Sequence, residues 1–175
     1  SLTGRVFGSR YRLEEPIGRG GMSIVYRAVC LRTKATVALK IMTGSYGQDD
    51  KKTQRFEQEA QASARLNHPG IIEVSDYGRS GDGLLFIAME LLRGETLGRK
   101  LRKGGPQAVG DACRLMQKTC EALSVAHEQG VIHRDLKPDN IYLLDTASGE
   151  PFEHIKLLDF GIAKVAGSGD VETLT

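Results

Sequence analysis

Apolar and polar positions alternate along much of the N-terminal half of the chain, which is typical of β-strands. Strand-like runs occur in YRLEEPIG, SIVYRAVC, TVALKIM, IIEVSDYG and LLFIAMELL. We expect the first run to break at Pro16 and Gly18, and the second and third to form a hairpin. Between the third and fourth runs, residues 52–66 predict a helix that ends before Asn67 and Pro69.

The pattern changes to a helical period after Gly94. Residues 108–130 predict one long helix. Its expected inward positions are Leu115, Met116, Thr119, Cys120, Leu123 and Ala126. Two short strands, IYLLD and IKLLD, then flank a polar loop. A strand-rich half followed by a helical half predicts an α+β protein with two lobes.

Composition narrows the possible functions only a little. The 175 residues suffice for one core or for two small lobes that share a cleft. A net charge of +2 disfavours a nucleic-acid partner, and no apolar run approaches the roughly 18 residues of a membrane span. Cys113 and Cys120 lie about 10 Å apart along one predicted helix, too far for a disulfide. We expect the three cysteines to be free, partly buried thiols in a reducing compartment.

The stretch IGRGGMSIV is a candidate phosphate-binding loop. Read as G-x-G-x-x-G-x-V, it supplies Gly18, Gly20 and Val25, with Ser23 at the third glycine position and an additional Gly21. Backbone N–H groups of such a loop can approach a phosphate, and serine is small enough to keep that approach open. The alternative is a hairpin tip that binds no ligand.

Further motifs follow this loop in a fixed order: VALK ends at Lys40, HRDLKPDN spans 133–140, and DFG spans 159–161. With these motifs the chain resembles a protein kinase domain, specifically the bacterial Ser/Thr kinases similar to the eukaryotic ones. The resemblance spans essentially the whole chain. It implies an antiparallel N-lobe with one helix over residues 1–92 and part of a mainly helical C-lobe over residues 93–175.

Helix geometry selects a partner for Lys40. Lys40 follows an apolar stretch and should face the cleft, where its ammonium group needs a carboxylate. The inward stripe of the first helix is Phe56, Ala60, Ser63 and Leu66. Glu59 falls within that stripe, whereas Glu57 points about 160° away from Glu59. We therefore predict a Lys40–Glu59 ion pair.

The resemblance assigns roles in the two later motifs. It implies that Asp135 is the catalytic base and that Lys137 stabilises the transferring phosphate. Asn140 and Asp159 would hold Mg²⁺ or Mn²⁺. Arg134 resembles the arginine that pairs with a phosphorylated activation segment. His133 is expected to pack under Phe160 rather than to act as a base.

The resemblance also implies an adenine pocket. Met89 would be the gatekeeper, and the Glu90 carbonyl and the Leu92 N–H would bond adenine in the hinge between the lobes. The expected roof is Ile17, Val25 and Ala38. The floor position is Tyr142, where the family more often carries Leu or Met.

The expected function is an ATP-dependent protein Ser/Thr kinase that also phosphorylates itself, with Thr173 and Thr175 as candidate sites. One alternative is an ATP-binding, pseudokinase-like or truncated regulatory module without transfer, and another is a structural interaction fragment. The expected location is the cytoplasm, including as the cytosolic part of a larger or membrane-anchored protein. We expect the 175-residue chain to bind ATP weakly, to phosphorylate peptides little, and to self-associate through Leu115, Met116 and Leu123.

Overall fold

The computed structural model describes residues 2–21, 23–43, 50–145 and 152–160. Six strands form an antiparallel sheet in the order β1-β2-β3-β4-β6-β5. These strands are β1 (Val6–Phe7), β2 (Tyr11–Arg19), β3 (Ser23–Cys30), β4 (Thr36–Met42), β5 (Val74–Arg79) and β6 (Leu85–Glu90). The helix α1 (Asp50–Arg65) connects β4 to β5.

The first predicted strand does not break where its proline and glycine fall. β2 continues through Pro16 and Gly18, and its pairing with β3 shifts register between Leu13 and Glu15 and again between Pro16 and Gly18. A proline cannot donate to the strand ladder, and a β-bulge accommodates it by leaving a residue unpaired. The expected break is therefore a pair of bulges that leads into the glycine turn.

The phase predicted for α1 is confirmed. Phe56, Ala60 and Ser63 are buried, Leu66 is buried just past the helix end, and Glu57 is exposed. This face joins one core cluster with β4 and β6, whose members are Met42, Phe56, Ala60, Leu85 and Ile87. The packing fixes which α1 side chains face the rest of the molecule.

The second part of the molecule combines a small sheet with helices. Its elements are β7 (Gly94–Thr96), α2 (Leu97–Gly104), α3 (Val109–Glu128), a 3₁₀ turn (Pro138–Asn140), β8 (Ile141–Leu144) and β9 (Ile155–Leu157). The strands pair antiparallel in the order β7-β8-β9. β8 and β9 confirm the two predicted strands, whereas β7 and α2 were not predicted. The Thr96 side chain caps α2 by accepting a hydrogen bond from the Arg99 N–H.

The buried face of α3 differs from the prediction. Its buried residues are Leu115, Thr119, Ala122 and Ala126. Met116 is 49% exposed, Cys120 is exposed and Leu123 is only partly buried. The helix packs through its small residues, and Met116 and Cys120 looked equally apolar in the sequence. Leu115, Thr119 and Ala126 are buried as predicted, so Leu115 does not contribute to the exposed apolar surface expected for self-association. The expectation of a partly buried Cys113 and Cys120 is wrong.

The segment between α1 and β5 connects the two sheets. The Ile72 N–H donates to the Leu157 carbonyl at 3.0 Å, and the Leu157 N–H donates to the Gly70 carbonyl at 2.8 Å. These bonds attach β9 to residues that lead directly into the larger sheet. Within the described ranges, no helix has the length and apolar character needed to cross a membrane.

Candidate active site

Cross-strand pairing brings two of the three predicted roof residues, Val25 and Ala38, onto one face of the larger sheet. Lys40 lies opposite Val25 on β3 and opposite Ile87 on β6. Ala38, two residues before Lys40, lies opposite Met89. Directly opposed residues share a face, as do residues two apart on one strand. Strand register therefore places the predicted gatekeeper beside the predicted phosphate-binding lysine.

One backbone hydrogen bond among the described residues closes the glycine turn. The Gly20 N–H donates to the Ser23 carbonyl at 2.8 Å. Ser23 is buried, and its Oγ lies 3.4 Å from the point where a Cβ on Gly20 would stand. Gly21 is exposed, and a Cβ there would meet no heavy atom within 4 Å. Ser23 thus packs against the turn, and the outer side of the turn at Gly21 is open.

Lys40 is paired, although with a different carboxylate from the one predicted. Its Nζ lies 2.6 Å from Oδ1 of Asp159, and Lys40 is only 7% exposed. A buried ammonium group needs a carboxylate partner, and Asp159, two residues after β9 ends, supplies it. The Lys40–Glu59 pair is not formed in this structure.

Glu59 pairs instead with Arg134. Oε1 of Glu59 accepts a hydrogen bond from Arg134 Nη1 at 2.9 Å. The other oxygen, Oε2, is buried and has no hydrogen-bond partner among the described residues. Burial raises the pKa of the Glu59 carboxyl group, and the nearby Arg134 opposes that change. The inward direction of Glu59 was predicted correctly, but its cation was not.

Asp135 lies at the centre of a compact polar cluster. Its Oδ2 accepts from Lys137 Nζ at 2.7 Å and from Asn140 Nδ2 at 3.1 Å. Asn140 Nδ2 also donates to the Asp135 carbonyl at 2.8 Å. The hydrogen bond from Lys137 holds the pKa of Asp135 below its ordinary value, so Asp135 is ionised at neutral pH. Asp135 can therefore accept a hydrogen bond or a proton.

His133 packs as predicted. Its ring centroid lies 4.7 Å from that of Phe160, and both residues are 2% exposed. Nε2 lies 2.8 Å from the Leu158 carbonyl, which can only accept, so Nε2 carries the proton. Nδ1 accepts from the Asp135 N–H at 3.3 Å. Burial lowers the pKa of this imidazole, and the neutral ring supports the backbone of Asp135.

Two residues of this region have a left-handed backbone. Arg134 has φ 58° and Asp159 has φ 56°. Residues other than glycine seldom adopt this conformation, and it persists where the surrounding structure requires it. Both residues carry a side chain that forms an ion pair at the cleft. The strained backbone thus occurs where it sets the direction of the Arg134 and Asp159 side chains toward their ion-pair partners.

The predicted hinge carries an ion pair that was not predicted from the sequence. Oε1 of Glu90 lies 2.5 Å from Lys156 Nζ and accepts from the Glu73 N–H at 2.8 Å. Leu92, two residues later, is half-buried. One signal was available: Lys156 stands between the apolar Ile155 and Leu157 on a short strand, so its side chain points to the other face.

Tyr142 lies on β8 opposite Thr96 and is half-buried. Its hydroxyl donates to the Gly94 carbonyl at 2.8 Å. Burial raises the pKa of this phenol, so it remains a donor at neutral pH. Tyr142 therefore holds the chain that follows the hinge, a contact that Leu or Met could not make.

The oxygen atoms near Asp159 fit a hard divalent cation. The Leu158 N–H donates to the Asn140 carbonyl at 2.9 Å, which brings Asn140 next to the end of β9. Because Asn140 donates through Nδ2, its side-chain oxygen is the atom suited to a cation. Carboxylate and amide oxygens are ligands that Mg²⁺ prefers. Gly161 of the DFG motif and the candidate phosphorylation sites Thr173 and Thr175 lie outside the described residues.

Sequence comparisons identify relatives over most of the chain. The family model for the protein kinase domain matches residues 11–175. Serine/threonine-protein kinase pkn3 of Myxococcus xanthus is 44% identical over 167 residues, which cover 95% of this chain and 30% of that protein. PknA of Mycobacterium tuberculosis is 38% identical over 172 residues, which cover 96% of this chain and 38% of that protein. The chain thus spans about a third of the length of these curated relatives.

Solved structures agree with this relationship. The PknI kinase domain of Mycobacterium tuberculosis superposes with a TM-score of 0.80 at 32% identity, covering 91% of this chain and 61% of that one. Rad53 1–466, solved in complex with AMP-PNP, superposes with a TM-score of 0.69 at 26% identity, covering 87% of this chain and 38% of that one. The order of the motifs, the two-sheet architecture and these matches lead to one conclusion: the chain belongs to the protein kinase domain family and resembles its bacterial Ser/Thr members.

Proposed function

We propose that the chain carries the ATP site and catalytic loop of a protein Ser/Thr kinase that transfers the γ-phosphate of ATP to protein hydroxyl groups. The observation that carries the proposal is the cluster of Asp135, Lys137 and Asn140 beside the Lys40–Asp159 pair. This arrangement holds a base, two cations and metal-compatible oxygens at one cleft, as phosphoryl transfer requires. The names of the bacterial relatives support the choice of Ser and Thr.

The nucleotide would bind between residues 1–92, taken as the N-lobe, and residues 93–175, taken as part of the C-lobe. The proposed contacts are Ile17, Gly18, Gly20, Gly21, Ser23, Val25, Ala38, Lys40, Met89, Glu90, Leu92 and Tyr142. The shared face of Val25, Ala38, Lys40 and Met89 supports this placement. The complex of Rad53 with AMP-PNP is a further reason to propose a nucleotide at this cleft.

Asp135 would accept the proton of the substrate hydroxyl, because it is ionised and its side chain is partly exposed. Lys137 would provide positive charge next to that base. Asn140 and Asp159 would hold Mg²⁺ or Mn²⁺, which when bound neutralises charge on the phosphates. Asn140 also orients Asp135 through its two donated hydrogen bonds.

Transfer would require an exchange of ion pairs. Lys40 now holds Asp159, which is a proposed metal ligand, and Glu59 now holds Arg134. Movement of Glu59 to Lys40 would release both Asp159 and Arg134. Oε2 of Glu59 is buried and has no hydrogen-bond partner among the described residues, which supports this exchange because a new cation would satisfy it. Arg134 would then be available to phosphothreonine at Thr173 or Thr175.

The proposal is tested with the full-length protein, γ-labelled ATP, Mg²⁺, and peptide libraries that contain Ser, Thr or Tyr. Label should appear on Ser and Thr only, and mass spectrometry should locate self-phosphorylation at Thr173, Thr175 or both. Mg²⁺-dependent ATP binding without transfer to any library or to the protein itself would favour the pseudokinase-like alternative. A failure to bind ATP would reject both.

A further inference from the structure

Lys156 is the side chain that links the small sheet to the hinge. Its Nζ lies 2.5 Å from Oε1 of Glu90 and donates to the Ile71 carbonyl at 3.1 Å. Its side chain is only 14% exposed. A lysine this deeply placed is stabilised only when its charge is paired and its donors are used, and here both conditions are met.

Glu90 is held from a second direction by the segment that follows α1. Its carboxylate accepts from the Glu73 N–H at 2.8 Å, and its own N–H donates to the Glu73 carbonyl at 3.1 Å. The side chain and the backbone of Glu90 are therefore both fixed. We refer to Lys156, Glu90, Ile71 and Glu73 together as the hinge bridge.

The hinge bridge connects three elements that surround the proposed adenine site. Lys156 is the middle residue of β9 and stands three residues before Asp159. Glu90 is the last residue of β6, and residues 71–73 join α1 to β5. Restraints from different elements on one residue leave its peptide few orientations. The peptide in question would present its carbonyl group to adenine.

We infer that Lys156 is a positioning residue for nucleotide recognition: through the Glu90 carboxylate it fixes the hinge backbone that binds the adenine ring. The inference rests on the proposed function and adds a residue that would not touch the nucleotide. Its energetic basis is pre-organisation, since a backbone already held in the binding geometry loses less entropy when a ligand arrives. Removing Lys156 leaves the Glu90 carboxylate with the Glu73 N–H alone, so the hinge gains freedom.

The test is adenosine binding to the full-length protein, measured by calorimetry alongside ATP binding. Adenosine has no phosphate, so its affinity reports on the hinge and not on the phosphate-binding residues. Lys156→Met and Glu90→Gln should each weaken adenosine and ATP by about five- to tenfold, which corresponds to roughly 1.0–1.4 kcal/mol. For Lys156→Met, turnover at saturating ATP should stay within about twofold, because the interaction acts on binding.

Two control variants separate hinge positioning from other effects. Lys40→Met should weaken ATP much more than adenosine, because Lys40 is proposed to act on phosphates. Asp76→Asn disrupts a partly buried ion pair within residues 1–92, in which Arg10 Nη1 lies 2.7 Å from Asp76 Oδ2. It should lower the thermal midpoint without changing either affinity. A purely structural role of Lys156 would give the pattern of Asp76→Asn.

The double variant Lys156→Met with Glu90→Gln completes the test. Both changes remove the same Lys156–Glu90 interaction. The double variant should therefore bind adenosine no more weakly than the single variant with the lower affinity. If Lys156→Met does not fold, Glu90→Gln decides alone, since it keeps the shape of the side chain. Unchanged adenosine affinity in the single variants, or fully additive losses in the double variant, would overturn the inference. The proposed function would stay intact in that case as long as the wild type binds nucleotide. A wild-type protein that binds no nucleotide would overturn both.

Discussion

At the scale of single residues, the structure separates groups that hold the catalytic segment from groups suited to chemistry. His133 belongs to the first kind: both ring nitrogens are engaged with backbone groups, and its ring stacks near Phe160. Asp135 belongs to the second, because its carboxylate is ionised and partly exposed. The motif alone names both residues, and their environments distinguish their roles.

The buried imidazole makes stability depend on pH. Its pKa lies below the ordinary value of 6.5, so the unfolded chain binds the extra proton more readily than the folded protein. The contribution of the neutral His133 to stability is therefore fully present above about pH 6.5 and is lost as the pH falls below that value. His133→Phe keeps an aromatic ring at this position but removes the two hydrogen bonds of the imidazole. We expect it to lower the free energy of unfolding by roughly 1–3 kcal/mol at pH 7.5.

Urea unfolding of wild type and His133→Phe between pH 7.5 and pH 5.5 tests this. The gap in stability between the two should narrow as the pH falls, because only the unfolded wild type gains a proton on His133 that the folded protein does not bind. A gap that stays constant or widens would contradict a neutral, buried His133.

At the scale of elements, α1 shows what sequence periodicity can and cannot determine. The helical period predicted the inward face and distinguished Glu59 from Glu57 correctly. It could not determine the partner of Glu59, because Lys40 and Arg134 both lie elsewhere in the chain and compete for one carboxylate. In α3 the period was clear, but Met116 and Cys120 resembled core residues and were not.

Glutamine substitutions on α1 test the proposed exchange of ion pairs. Glu59→Gln should lower turnover about tenfold or more, equivalent to at least roughly 1.4 kcal/mol of transition-state stabilisation. Glu57→Gln, on the exposed face of the same helix, should change it less than about twofold. The comparison needs only steady-state phosphotransfer rates on the two variants. Equal losses of turnover in the two variants would contradict a catalytic role that is specific to the buried Glu59.

Gly94 is a second test at this scale, at the start of β7. Its φ is 136°, and a Cβ there would stand 2.0 Å from the Leu143 carbonyl oxygen. Gly94→Ala should cost about 2–5 kcal/mol, because it combines backbone strain with an overlap that the paired strand cannot relieve. A Cβ on Gly110 in α3 would meet no heavy atom within 4 Å, so Gly110→Ala should stay within about 1 kcal/mol. Equal unfolding midpoints for the two variants would contradict this close approach.

At the scale of the whole molecule, the two-lobed α+β architecture was predicted from a strand-rich half followed by a helical half, and the glycine loop, VALK, HRDLKPDN and DFG appear in the order of the kinase fold. The missed elements β7 and α2 are three and eight residues long, too short for a clear hydrophobic period. The long-range pairs Lys40–Asp159, Glu59–Arg134 and Lys156–Glu90 join residues 66 or more positions apart. No local pattern contains such information.

The most direct measurement of the central claim compares phosphotransfer and ATP binding in the same preparations of wild type, Asp135→Asn and Lys40→Met. Asp135→Asn should lower transfer by about 10²–10⁴ while ATP affinity stays near that of the wild type, because the base acts on the substrate hydroxyl. Lys40→Met should lower both transfer and ATP affinity. Transfer within tenfold of wild type in Asp135→Asn, or ATP affinity lost together with transfer in that variant, would contradict the assignment of this cleft.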